Sequence, residues 1–116
     1  MVTITEDYVS FEIAKLLKDK GFQEPCTGLN KLLCKEGEKP LLLITHQKAM
    51  KWLREVYDIF IDIGYDDLDW YWLIESISKD IPYEDRPELI KNGTACHKTY
   101  EEAVEAALKY CLENLI

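Results

Sequence analysis

The stretch His46–Ile77, HQKAMKWLREVYDIFIDIGYDDLDWYWLIESI, changes its apolar period once, and that change decides the fold. Over His46–Val56 the apolar residues Ala49, Trp52, Leu53 and Val56 fall at i, i+3, i+4 and i+7, the spacing of a helix with one buried face. Thr45 before them is a good N-cap. From Tyr57 the period drops to two: Tyr57, Ile59, Ile61 and Ile63 alternate with Asp58, Phe60 and Asp62, as in a half-buried strand. A loop with Gly64, Asp66 and Asp67 follows. Trp70–Ile77 is rich in aromatic and branched residues and reads as a second strand, so the pair forms an antiparallel hairpin. Either Trp70, Trp72 and Ile74 or Tyr71, Leu73 and Ile77 form its inward face.

Helices are expected on both sides of this unit. C-terminal to it, Thr99 and Glu102 have the spacing of a capping box. A stripe follows them through Tyr100, Ala103, Val104, Ala107, Leu108, Cys111, Leu112 and Leu115, giving one amphipathic helix to Ile116. N-terminal to it, a helix should open at Thr5, with Ile4 and Val9 as a staple. It should bury Val9, Ile13, Leu16 and Leu17, leave Phe11 on its far side, and stop at Gly21. Leu29–Lys35 and Pro40–Ile44 read as two short strands around Glu36–Lys39, although Leu41–Ile44 also suits a lead-in to the next helix. Ser78–Lys98, with Pro82, Pro87 and Asn92-Gly93, reads as a long connection. The expected fold class is α+β: one globular domain over residues 1–116, with a small antiparallel sheet of three to four strands and about three helices packed on one face.

Composition bounds the function. With 47% apolar and 31% charged residues in 116, the chain has the balance of a folded globular domain. No basic and apolar leader opens MVTITEDYVS, and no apolar run reaches the length of a bilayer, so a cytoplasmic location with reduced thiols at Cys26, Cys34, Cys96 and Cys111 is expected. Charge is unevenly placed. Ten acids stand against one base between Glu55 and Asp85, whereas Lys15–Arg54 holds nine bases and four acids. This argues against direct binding of nucleic acid, although Lys48, Lys51 and Arg54 share one helix face.

No constellation specifies a reaction. Asp62, Asp66, Asp67 and Asp69 offer oxygen ligands but miss the EF-hand pattern, with Gly64 where an acid or amide belongs. Cys96-His97 lacks the closely spaced ligand pair of a zinc site. Neither a metal nor a cofactor is expected. A Cys/His nucleophile would need Cys96 or Cys34 beside His46 or His97. The hairpin holds six of the thirteen aromatics, Tyr57, Phe60, Tyr65, Trp70, Tyr71 and Trp72. Aromatic side chains with an acidic rim suit a protein partner, and Tyr65, Trp70, Tyr71, Trp72, Asp66 and Asp67 are the candidate binding residues.

The words HQKAMKWLREVY (His46–Tyr57), YEDRPEL (Tyr83–Leu89) and TYEEAVEAALKYCL (Thr99–Leu112) resemble a group of short uncharacterised proteins carried by prophages and mobile elements of gut anaerobes. The resemblance implies a small cytoplasmic accessory protein of bacterial or phage origin, and carries over no active site. The leading expectation is a protein-interaction module acting through the hairpin. The alternatives are an acidic mimic or regulator of nucleic-acid machinery and a small thiol-dependent enzyme. The apolar Leu115-Ile116 end packs internally or against a second copy in a homodimer.

Overall fold

The computed structural model describes residues 8–23, 32–33, 41–78, 80, 82, 91–92 and 97–116, and shows an α+β arrangement. In chain order these residues form α1 (Phe11–Asp19), β1 (Leu32–Leu33), β2 (Leu41–Leu42), α2 (His46–Tyr57), β3 (Ile59–Asp66), β4 (Asp69–Ser76), β5 (Lys91–Asn92) and α3 (Tyr100–Tyr110), which widens into a π-type turn over Cys111–Leu115.

Each helix begins where a hydroxyl satisfies a free amide. Ser10 Oγ accepts from Ile13 N–H at 3.3 Å, Thr45 Oγ1 from Lys48 N–H at 3.1 Å, and Thr99 Oγ1 from Glu102 N–H at 3.1 Å. Glu102 returns its carboxylate to Lys98 N–H at 3.0 Å, one residue before the amide used in the reciprocal box. α1 therefore starts at Phe11, not Thr5. Thr5 and Ile4 lie outside the described residues, and Tyr8 is extended, bridging antiparallel to Thr45. The helix ends as expected at Gly21 (φ 97°): Gly21 N–H bonds Lys18 O at 3.1 Å and Phe22 N–H bonds Leu17 O at 2.9 Å. This pair is a Schellman motif, and Phe22 folds back against the core beside Leu17.

α2 runs one residue past the expected end, and Asp58 in the left-handed conformation (φ 55°) turns the chain straight into β3. Tyr57 is thus helical, not the first residue of the strand. Ala49 and Leu53 are fully buried and Trp52 half-buried, but Val56, expected inside, is exposed because the stripe rotates off the core at the last turn.

The hairpin is longer and tighter than its sequence suggests. β3 continues through Gly64 to Asp66, and β4 starts at Asp69, so the connection is only Asp67-Leu68. Both have positive φ, 47° and 74°, as a two-residue type I′ turn demands. The usual Asn-Gly signal is missing, which is why the turn is not legible. Register pairs Ile61 with Ile74, Ile63 with Trp72 and Tyr65 with Trp70. Ile59, Ile61, Ile63, Tyr65, Trp70, Trp72 and Ile74 therefore share the helix-facing side, which settles the orientation of β4. Tyr71 crosses to the opposite face, where its ring lies over Gly64 and occupies the space a Cβ there would need.

The fold class holds at the level of helices around an antiparallel hairpin. Among the described residues only the two eight-residue strands are substantial: β5 adds two residues to the edge of β4 at Leu73 and Ile74, and β1–β2 is a separate two-residue ladder. β5 lies in a stretch read as pure connection. The turn at Glu36–Lys39, Pro87 and Gly93 fall outside the described residues. α3 is the central helix, touching α1, α2, β3 and β4. Ala103, Val104, Ala107, Leu108, Cys111 and Leu112 are wholly buried along it, and all but Ala103 meet Ile13 and Leu17 of α1, Leu53 of α2 and Ile74 of β4 in one core.

Leucine pays about 1–2 kcal/mol for a left-handed conformation, part of which glycine returns as lost chain entropy. Leu68→Gly is therefore expected to raise stability by about 0.5–1 kcal/mol in urea unfolding; a loss of stability would show that Leu68 packs within the fold.

Candidate functional site

Two features stand out on the surface, and they adjoin. The first is a shallow open cleft of about 460 Å³ lined by Tyr8, Ser10, His46, His97, Glu101, Glu102 and Glu105. At its floor His46, 6% exposed, is the buried polar residue of the described core. Its Nε2 lies 2.9 Å from Glu105 Oε1. The same oxygen accepts from Ser10 N–H at 2.8 Å, and Glu105 Oε2 accepts from Ser10 Oγ at 2.9 Å. Burial alone would raise the Glu105 carboxyl above its ordinary 4.5, but the bonds from His46 and from the Ser10 amide and hydroxyl together hold it below that value.

Serine, histidine and glutamate invite comparison with a nucleophilic triad, but the order is different. In a triad the imidazole stands between hydroxyl and carboxylate. Here the carboxylate stands between the other two. An ionised carboxylate only accepts hydrogen bonds, so His46 Nε2 carries the proton in this contact and Ser10 Oγ–H is directed at Glu105. Ser10 Oγ also caps α1. The knot ties three helices, and nothing in it activates a nucleophile.

The second feature is an aromatic patch at the hairpin tip. Tyr65 and Trp70 meet edge to face with ring centroids 4.9 Å apart, and Trp70 meets Tyr100 of α3 at 5.6 Å with rings perpendicular. Tyr65 is 54% exposed, Tyr100 40%, and Leu68 at the turn 78%. Asp66 and Asp67 stand exposed beside them, while Asp69 is held by Lys98 Nζ at 2.9 Å. Trp70 also exchanges main-chain bonds with His97, which joins patch and cleft into one surface.

Of the residues singled out from sequence, Tyr65, Trp70, Asp66 and Asp67 come together at the tip. Tyr71 is on the opposite face. Trp72 is corrected to a core residue: it is 8% exposed, with its ring centroid 5.4 Å from that of Tyr110. Its phase along β4, even with Trp70 but one turn of the pleat further in, puts it under α3. Tyr100 and Leu68 join the patch, and Ser10 and Glu105 build the knot, without having been picked out as site residues, whereas His46 was named only as a partner for a cysteine nucleophile. His46 did carry a signal, since it precedes Ala49 and Leu53 by three and seven residues on the buried stripe of α2. Glu105 likewise precedes Leu108 and Leu112 by three and seven on α3.

Among the described residues no set of three or more His, Cys, Asp or Glu side chains converges to hold a metal ion. Lys51 of the basic face is 3.9 Å from Glu55. Cys26, Cys34 and Cys96 lie outside the described residues. Cys111 is buried, and its thiol is pushed up to about 12 by that burial. No helix among the described residues is long and apolar enough to cross a membrane. No protein-family model, curated protein or solved structure matches the chain.

Two outcomes follow from these geometries. Because the folded carboxyl of Glu105 lies below its unfolded value, its contribution is complete above about pH 4.5 and is lost as pH falls through the lower folded value. Glu105→Gln should cost roughly 1–3 kcal/mol at pH 7 in urea unfolding, with the gap to the natural protein narrowing as pH falls below 4.5; a gap independent of pH would refute the ionic character of the knot. Cys111 should react with a thiol reagent such as a disulfide-bearing chromophore only after unfolding. Peptide mapping that finds Cys111 labelled in the native protein would contradict its burial.

Proposed function

We propose that this chain is a small cytoplasmic accessory protein, of the phage or mobile-element kind, that binds another protein through the tip of its hairpin. The binding surface consists of Tyr65, Leu68, Trp70 and Tyr100, with Asp66 and Asp67 as its rim. Leu68 carries the reading: a large apolar side chain stands 78% exposed at a backbone angle (φ 74°) that leucine avoids. Such a residue costs stability and contributes little burial, so its use lies outside the fold. The edge-to-face rings behind it provide a firm amphipathic platform, with little side-chain freedom to lose on association. The acidic excess around the hairpin favours a partner whose pocket is ringed by lysine and arginine.

A photo-cross-linking amino acid at position 68, with one at the exposed position 51 as a control, tests this in host cells. An adduct is expected from position 68 alone. The captured protein, once purified, should bind the natural chain at least tenfold more tightly than Leu68→Asp, and more weakly as salt rises. Equal labelling from both positions, or unchanged affinity of Leu68→Asp, would overturn the proposal.

A further inference from the structure

β3 is the outer strand of the sheet, whose order is β3-β4-β5. Its main-chain phase is fixed by bonds at either side of the hairpin. Ile77 N–H donates to Asp58 O at 2.8 Å, in line with the register that pairs Ile59 with Ser76. Across β4, Trp70 turns its N–H and C=O away from β3, to His97, at 2.8 and 3.2 Å. Bonded and non-bonded pairs alternate in an antiparallel ladder. Phe60, Asp62, Gly64 and Asp66 therefore direct their main-chain groups at β4, whereas Ile61, Ile63 and Tyr65 direct theirs outward. Among the described residues, no strand or main-chain group pairs with them on that side.

Natural edge strands are usually guarded by proline, a bulge or a charge facing inward. β3 has none of these: its register is unbroken from Ile59 to Asp66, and its helix-facing side chains are Ile59, Ile61, Ile63 and Tyr65. Its only charges, Asp62 and Asp66, are exposed on the opposite face. They discriminate by sign. A second copy would bring the same two aspartates to the same face and be repelled, while a basic strand would be drawn in.

We infer that the free edge of β3 receives an extended segment of another protein, added antiparallel to the sheet, in which apolar residues beside Ile61 and Ile63 alternate with lysine or arginine beside Asp62 and Asp66. Main-chain bonds supply the binding and the alternation supplies the specificity, as in other strand additions. The inference builds on the reading of the hairpin as a protein-binding element, but uses its edge and not Leu68.

The test uses the full chain and three capped nine-residue peptides: alternating Lys and Val, alternating Glu and Val, and the Lys-Val peptide N-methylated at each valine. In amide NMR titrations the Lys-Val peptide should move the signals of Ile61, Ile63 and Tyr65 and bind at least tenfold more tightly than either of the others. The double variant D62K/D66K should reverse the preference between Lys-Val and Glu-Val. Ile63→Pro removes an outward donor without touching a bond to β4, and should abolish binding while circular dichroism stays native. Leu68→Ser, which alters the tip without adding a charge near Asp66, should bind the Lys-Val peptide like the natural chain. Equal binding of the N-methylated peptide would reduce the effect to bulk charge and overturn the inference. A concentration-dependent dimer dispersed by Ile63→Pro would also overturn it, by assigning the edge to a second copy. If the peptides fail while position 68 still captures a partner, the edge falls and the tip stands; capture lost with peptide binding retained gives the reverse.

Discussion

One carboxylate holds the helices in place. Glu105, in the middle of α3, accepts from the residue that caps α1 and from the first residue of α2. Both helices thus present their positively polarised ends to the same negative charge, an arrangement that helix dipoles favour. The extended segments just before them reinforce it, since Val9 N–H bonds Ile44 O at 2.8 Å and Tyr8 pairs with Thr45. Apolar packing alone would let α1 and α2 slide along α3, because leucine and isoleucine contacts have no direction. The polar contacts fix where along the helices the packing sits.

That constraint reaches the hairpin through very little chain. Only Asp58 separates α2 from β3, so the orientation of α2 sets that of the strand that follows it. With the base of the hairpin clamped under α3 by Trp72 and Ile74, its far half projects and burial declines along β3, from Ile59 and Ile61 to the exposed Tyr65. The tip and the outer edge therefore project from a packed base. Strain at Leu68 belongs to the same design, since a tight two-residue turn keeps the two strands in register to their ends.

The sequence was readable where local chemistry and burial agree. Thr45 and Thr99 marked their helices correctly, Gly21 ended α1, and the alternation of Ile59, Ile61 and Ile63 announced a strand. Reading failed where a distant contact overrode a local signal. Ser10 caps α1 because Glu105, ninety-five residues away, holds its amide and hydroxyl, and no pattern near Thr5 reveals that. Asp67-Leu68 has none of the glycine expected of its turn, so the hairpin looked looser and the loop longer. Trp72 was indistinguishable from Trp70 by composition, and only the cross-strand register with Ile63 separates a core residue from a surface one. The knot was partly legible, as His46 and Glu105 each extend an apolar stripe by one turn and so had to meet something polar inside.

The ring of Tyr71 lying over Gly64 makes two positions on different strands a single unit of inheritance. Any side chain at 64 must displace that ring, and any smaller residue at 71 bares the backbone of the glycine to water. Divergent copies of this hairpin should therefore change the two sites together, leaving a paired substitution as the trace of the face turned away from the helices.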